Sequence, residues 1–183
     1  MRQEVFMAGM GGQGVQLAGQ VLAQAALEAG LELSWFPLYS PEVRGGPTTC
    51  TLVIADGPVG SPIFAAPGSV LLMDRWAVET HLPDLRPEGL AVINSSLAAQ
   101  PFGRNDVEIL AIPASEIAVE IGNERTVNMV MLGAYVSRTR VVAARFIEEA
   151  LRKVLPERHH QHIPVNMVAL QRGIEFAEPS ENS

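Results

Sequence analysis

The spacing of apolar positions changes several times along the chain, and each change marks an element. Val5 to Ala8 is a short apolar run leading into Gly9-Met10-Gly11-Gly12-Gln13-Gly14. Beyond it Ala18, Val21, Leu22, Ala25, Ala26 and Ala29 recur at the spacing of one helix face, and Gly30 closes the run as a C-terminal cap. The pattern predicts a buried strand, a tight turn and a helix whose alanines permit close approach to a sheet. Leu31 to Phe36 follows as a second strand, and this strand-helix-strand order predicts a right-handed crossover in a mostly parallel sheet.

Further along, Thr48 to Ile54 alternates threonine with apolar residues, which predicts a strand with one polar face, near an edge or running antiparallel. Asp56 to Pro62 is rich in turn residues. Ser69 to Met73 and Leu90 to Asn94 are apolar strands separated by a short helix, Trp76 to Leu82, and Val107 to Ile112 is the last clear strand. Helices are then expected from Pro113 to Ile121, over Asn128 to Tyr135, over Ala143 to Val154, and from near Pro164 to Ala177. The Asn128 to Tyr135 helix is apolar on nearly every side, so it is either deeply buried or half of a subunit interface, with Met129 and Met131 as core fillers. The expectation is a single α/β domain, residues 1–177, Rossmann-like and three-layered, with helices on both faces of a mostly parallel sheet. Residues 178–183 read as a frayed tail.

Composition narrows the function classes. With 48% hydrophobic and 18% charged residues, the chain has the balance of a buried sheet rather than of a disordered segment. A formal net charge of -7 argues against a nucleic-acid surface. No apolar run reaches the ~18 residues of a membrane span, and the chain enters a strand almost at once, so the expected location is the cytoplasm. Cys50, the only cysteine, cannot build a disulfide, a cluster site or a cysteine zinc site within the chain. Its place in an alternating run makes it a small half-buried side chain rather than a nucleophile.

Gly9, Gly11 and Gly14 satisfy the G-x-G-x-x-G spacing, which places backbone N–H groups at a helix N-terminus and allows close approach of a phosphate. The acid expected about 20 residues further on is missing, and Trp35-Phe36-Pro37 stands where it should be, which argues against NAD or FAD. Three readings stay open: another phosphate-bearing ligand, a partner's backbone, or a ligand-free packing turn. The second candidate is the loop Pro37 to Pro47, whose prolines stiffen a segment carrying Ser40, Glu42, Arg44, Gly45 and Gly46. Arg44, flanked by two glycines, is exposed enough to meet a phosphate, a carboxylate or a partner chain; the alternative is a solvated surface loop. The cluster His159, His160 and His162 reads as a polar linker or subunit contact before a zinc site, because adjacent positions cannot all face one ion. Neither a nucleophile elbow nor a Walker lysine loop is present.

Three stretches in this order resemble a known family. Gly9-Met10-Gly11-Gly12-Gln13-Gly14, Tyr39-Ser40-Pro41-Glu42-Val43-Arg44-Gly45-Gly46 and Asn128 to Ala134, with the closing Leu155 to Gly173, are similar to the gamma subunit of the 2-oxoacid:ferredoxin oxidoreductases. One departure is Ser40, where the family commonly has glycine; this could alter the turn there. The resemblance implies oxidative decarboxylation of a 2-oxoacid to an acyl-coenzyme A with electrons passing to ferredoxin, 2-oxoglutarate or a branched-chain acid being the expected substrate. It implies that this chain is non-catalytic and binds no cofactor alone. Thiamine diphosphate and the iron-sulfur clusters then belong to alpha and beta subunits and a possible ferredoxin-like delta subunit. It also implies that Gly9, Gly11, Gly12, Gln13, Gly14, Ser40, Glu42, Arg44, Gly45 and Gly46 line the entry for coenzyme A or pack on neighbouring subunits. A homodimer of isolated chains remains open, as do a stand-alone nucleotide- or coenzyme-A-binding module and an independent dehydrogenase.

Overall fold

The computed structural model describes residues 1–39, 45–61 and 63–178. Its centre is a six-stranded sheet in the order β2-β3-β1-β4-β5-β6. The strands are β1 (Arg2–Met10), β2 (Glu32–Tyr39), β3 (Pro47–Ala55), β4 (Ser69–Leu72), β5 (Leu90–Asn94) and β6 (Glu108–Ile112). Strands β1, β4, β5 and β6 pair in parallel, while β3 runs antiparallel to both β1 and β2. The expected mostly parallel α/β sheet is present, but β1 and β2 are not neighbours. The chain leaves β1, crosses over, and returns by a hairpin that inserts β3 between them.

Strand β3 runs antiparallel and lies near an edge, as expected, one strand in from it. Strand β2 is the edge, and it continues through Pro37, which has no N–H to give to a ladder and is therefore tolerated on an edge. The register of β3 explains its composition. Cys50, Leu52 and Ile54 point into the larger core, and the intervening threonines Thr49 and Thr51 point to the opposite face. By contrast β4 is buried at every position, as parallel strands covered on both sides are, and so reads as a continuous apolar run.

Helices cover the two faces unequally. On one side lie α1 (Val15–Glu28), α3 (Ala114–Ile121), α4 (Val127–Thr139), α5 (Ala144–Val154) and α6 (Ile163–Ala177), which enclose the larger core with Val5, Met7, Leu52 and Leu71. On the other side α2 (Arg75–His81) packs over Ala8, Val70, Leu72 and Ile93. Full burial of a leucine-sized side chain contributes about 1.5–3 kcal/mol, so most of the stabilising contact sits on the five-helix side. The apolar helix α4 is buried within the chain from Asn128 to Val136, and Met129 and Met131 are indeed core side chains. It lies almost backbone to backbone against α6, because a Cβ on Gly133 or Gly173 would run into the carbonyl oxygen of Leu170 or Val130. The histidine segment links α5 to α6 as a 3-10 helix, Glu157–His162, with His160 Nε2 2.9 Å from the Leu155 carbonyl oxygen.

Candidate functional site

The glycine turn joins the carboxyl end of β1 to α1, beside the ends of β4 and β5. In an open α/β sheet this is the crevice where ligands bind. The turn is closed by its own residues. Gln13 folds back so that its Oε1 accepts a 2.7 Å hydrogen bond from the Met10 N–H. Gly11 donates to the Gly46 carbonyl oxygen at 2.8 Å and lies so near Gly45 that a Cβ would meet its Cα at 3.0 Å. Gly14, the N-cap of α1 at φ 78°, is pressed by Asn128, whose Nδ2 donates 3.2 Å to the Gly14 carbonyl oxygen. Close protein packing therefore accounts for glycine at Gly9, Gly11 and Gly14. Gly12, at φ 98°, has open space where its side chain would be.

The turn and the residues that lead into β3 are thus brought together through Gly11, Gly45 and Gly46. Ser40, Glu42 and Arg44 lie outside the described residues. A second strap comes from Gln16 in the first turn of α1, whose Nε2 donates to the Thr49 carbonyl at 2.9 Å and to the Leu38 carbonyl at 3.3 Å. It ties α1 to the loop-bearing ends of β2 and β3.

Next to Gly12 and Gln13 is a cleft of about 140 Å³, walled also by Met73, Asn94, Ser115 and Arg125. Asn94 is fully buried and its amide is committed: Nδ2 donates to the Met73 carbonyl at 3.2 Å and to Ser115 Oγ at 3.0 Å. Arg125 is exposed at the rim and makes no ion pair among the described residues. Glu124 lines the cleft beside Arg125. At well below the roughly 300–1,000 Å³ of small-molecule sites, the cleft suits a single polar group or a partner's side chain rather than a dinucleotide. Sequence reading missed Asn128, Gln16 and Arg125. The signal for Asn128 was a lone amide opening an otherwise apolar helix, since a buried amide has to find a partner.

The titratable groups offer no nucleophile to this cleft. Cys50 is buried in the larger core, and burial pushes its thiol up to about 12. Tyr135 is fully buried, shares a 3.2 Å hydrogen bond with Ser69 Oγ, and burial raises its phenol to about 12. Burial holds His81 below the ordinary histidine value, and it sits on the α2 side of the sheet. Among the described residues no three His, Cys, Asp or Glu side chains are grouped to hold a metal, and no helix is long and apolar enough to cross a membrane.

Residues 4–176 match the family model for pyruvate ferredoxin/flavodoxin oxidoreductases. The chain belongs to this family. Among family members, the 2-oxoglutarate synthase subunit KorC of Methanothermobacter marburgensis is 35% identical over 183 residues, covering 96% of this chain and 97% of its own. The ketoisovalerate oxidoreductase subunit VorA of Methanothermobacter thermautotrophicus is 34% identical over 176 residues, and there this chain spans only 36% of the relative's length. In structure, the gamma subunit of a keto/oxoacid ferredoxin oxidoreductase from Geobacter sulfurreducens superposes with a TM-score of 0.82 at 30% identity, covering 97% of both chains. A 2-oxoglutarate:ferredoxin oxidoreductase from Magnetococcus marinus, solved with 2-oxoglutarate, coenzyme A and succinyl-CoA bound, contains the same fold, with a TM-score of 0.87 at 22% identity over 31% of that chain. The fold and extent of this family member are those of a gamma subunit.

Proposed function

We propose that the chain works as the gamma subunit of a multisubunit 2-oxoacid:ferredoxin oxidoreductase, converting a 2-oxoacid and coenzyme A to an acyl-coenzyme A with electrons passed to ferredoxin. The observation that carries this reading is the likeness to KorC along nearly the whole of both chains. Its own part is to dock on thiamine- and cluster-bearing companions and to form one wall of the coenzyme A path. A single buried cysteine gives it no means to hold an iron-sulfur cluster, which agrees with clusters carried by other chains. The small cleft has room for a portion of coenzyme A rather than its whole body, with the exposed Arg125 beside Glu124 at its wall, and Arg44 is assigned to the same role from the sequence alone. Among 2-oxoacids the proposed substrate is 2-oxoglutarate or a branched-chain acid, which rests on the resemblance of the closing stretch Leu155 to Gly173.

The test is reconstitution with alpha- and beta-type companion chains from the same organism, followed by coenzyme-A-dependent ferredoxin reduction with 2-oxoglutarate, a branched-chain 2-oxoacid and pyruvate. Omitting this chain should abolish activity or assembly; full activity without it overturns the reading. Arg44→Ala should raise the KM for coenzyme A or weaken assembly, and a variant unchanged in both removes the loop from the site. A stand-alone nucleotide-binding module would instead show a thermal shift with NAD or ATP.

A further inference from the structure

Helix α2 ends on a histidine that the fold holds among aromatic rings. The His81 ring lies 4.6 Å from the ring of Phe6 on β1 and 5.3 Å, nearly perpendicular, from that of Trp76 in the first turn of α2, and its side chain is 18% exposed. Leu82 follows it directly and is buried in the smaller core with Ala8, Val70 and Leu72. His81 thus pins the junction between α2 and the 3-10 turn Leu82–Asp84 to the middle of the sheet.

A neutral imidazole suits this setting and an imidazolium does not. Nε2 is buried with no hydrogen-bond partner among the described residues, and Nδ1 is 3.8 Å from Asp84 Oδ2, beyond hydrogen-bond length. A second ring proton would add a charge and a donor that nothing close by accepts, and burying either unmatched is costly. Charged groups on the surrounding elements are engaged elsewhere or screened. On β1, Glu4 is held by Arg2 at 3.1 Å and faces Arg86 at 3.8 Å, and on α2 Arg75 pairs with Glu79 at 2.6 Å. From β3 the neighbour is the uncharged Thr51. Asp84 is the carboxylate that faces the ring, and with its side chain 65% exposed water weakens its pull. Burial accordingly holds His81 below the ordinary histidine value, with Asp84 opposing.

We propose that His81 is a proton-sensitive latch: neutral, it holds the end of α2 and the turn after it against β1; protonated, it leaves its place between Phe6 and Trp76 and lets that corner open while the five-helix side stays folded. The sign follows from where the ring accepts its proton more easily, which is the open state. Closure is therefore fully favoured above about pH 6.5, the ordinary histidine value, and weakens as the pH falls below it, by up to about tenfold per unit until the ring protonates in place. The latch is independent of the role assigned to the chain in an oxidoreductase.

Hydrogen exchange of the full chain between about pH 7.5 and pH 5, corrected for the intrinsic effect of pH on exchange, tests it. Protection over α2 and the turn after it should fall by about tenfold from about pH 6.5 to pH 5, while protection of α4 holds. His81→Gln, which cannot take up the charge, should flatten that dependence. Asp84→Asn, at an exposed position, removes the carboxylate that favours the charged ring and should move the His81 titration, followed by NMR of the ring, to lower pH. A wild-type ring that titrates at or above about 6.5, equal loss of protection in α2 and α4, a pH dependence kept by His81→Gln, or a titration not lowered by Asp84→Asn overturns the proposal.

Discussion

Replacing Gly14 with alanine tests whether the glycine turn is a packing device. Two separate costs follow from the structure. At φ 78° an alanine sits in the left-handed region, which costs about 1–2 kcal/mol. Its Cβ would also lie 2.5 Å from Asn128 Nδ2, and forcing an atom into so close a space costs about 1–3 kcal/mol more. Gly14→Ala should therefore lose about 2–5 kcal/mol in urea unfolding of the full chain. Gly12→Ala, at φ 98° with no neighbour within 4 Å of the new atom, should lose only the backbone share, about 1–2 kcal/mol. Asn128→Ala alone should cost about 0.5–1.5 kcal/mol, because the Gly14 carbonyl loses the Asn128 amide but keeps the Ala18 N–H at 2.9 Å.

The double variant separates the two costs. With Asn128 cut back to alanine, the nearest remaining atom is its Cβ at 3.2 Å, a contact a small shift can absorb. Gly14→Ala with Asn128→Ala should thus be about 1–3 kcal/mol more stable than the sum of the single losses. Strict additivity, or a Gly14→Ala loss no greater than that of Gly12→Ala, would show that Asn128 does not press on the turn and would refute the reasoning.

Other outcomes follow from the core. Cys50 should resist iodoacetamide in the folded chain near pH 8 and react only on unfolding; modification at the rate of an exposed thiol would contradict its burial. Its thiol titrates near 12 when folded against an ordinary 9.0, so the folded state holds a proton that the unfolded chain releases. Stability is therefore unaffected below about pH 9 and falls by about 1.4 kcal/mol per unit as the pH climbs towards 12, measurable by urea midpoints at stepped pH. Gly173→Ala should cost about 3 kcal/mol or more, since the new atom meets the Val130 carbonyl rather than a mobile side chain, and a melting temperature close to wild type would show that α4 and α6 separate easily.

What the sequence made legible is local. The strand, glycine turn and helix from Arg2 to Glu28 could be read because apolar spacing and turn chemistry are properties of neighbouring residues, and Gly30 marked the end of α1 correctly. The place of β3 could not be read, since alternation in Thr48 to Ile54 reports one polar face and says nothing about which strands lie on either side. The same limit applies to the site. Gly11 and Gly46 were both singled out, but the hydrogen bond that joins them depends on the hairpin. Asn128 and Gln16 were passed over because their partners, Gly14 and the Thr49 carbonyl, are set by tertiary packing. Glycine spacing that fits a phosphate turn equally fits close contact with Met73, Gly45 and Asn128, and only coordinates distinguish the two.

Strand β3 is matched to β1 over nine residue pairs, from Arg2 with Ala55 to Met10 with Pro47. The start of β3 is thereby fixed against the last residues of β1, so the contact of Gly11 with Gly45 and Gly46 is anchored by a ladder running the full length of two strands rather than by the turn alone.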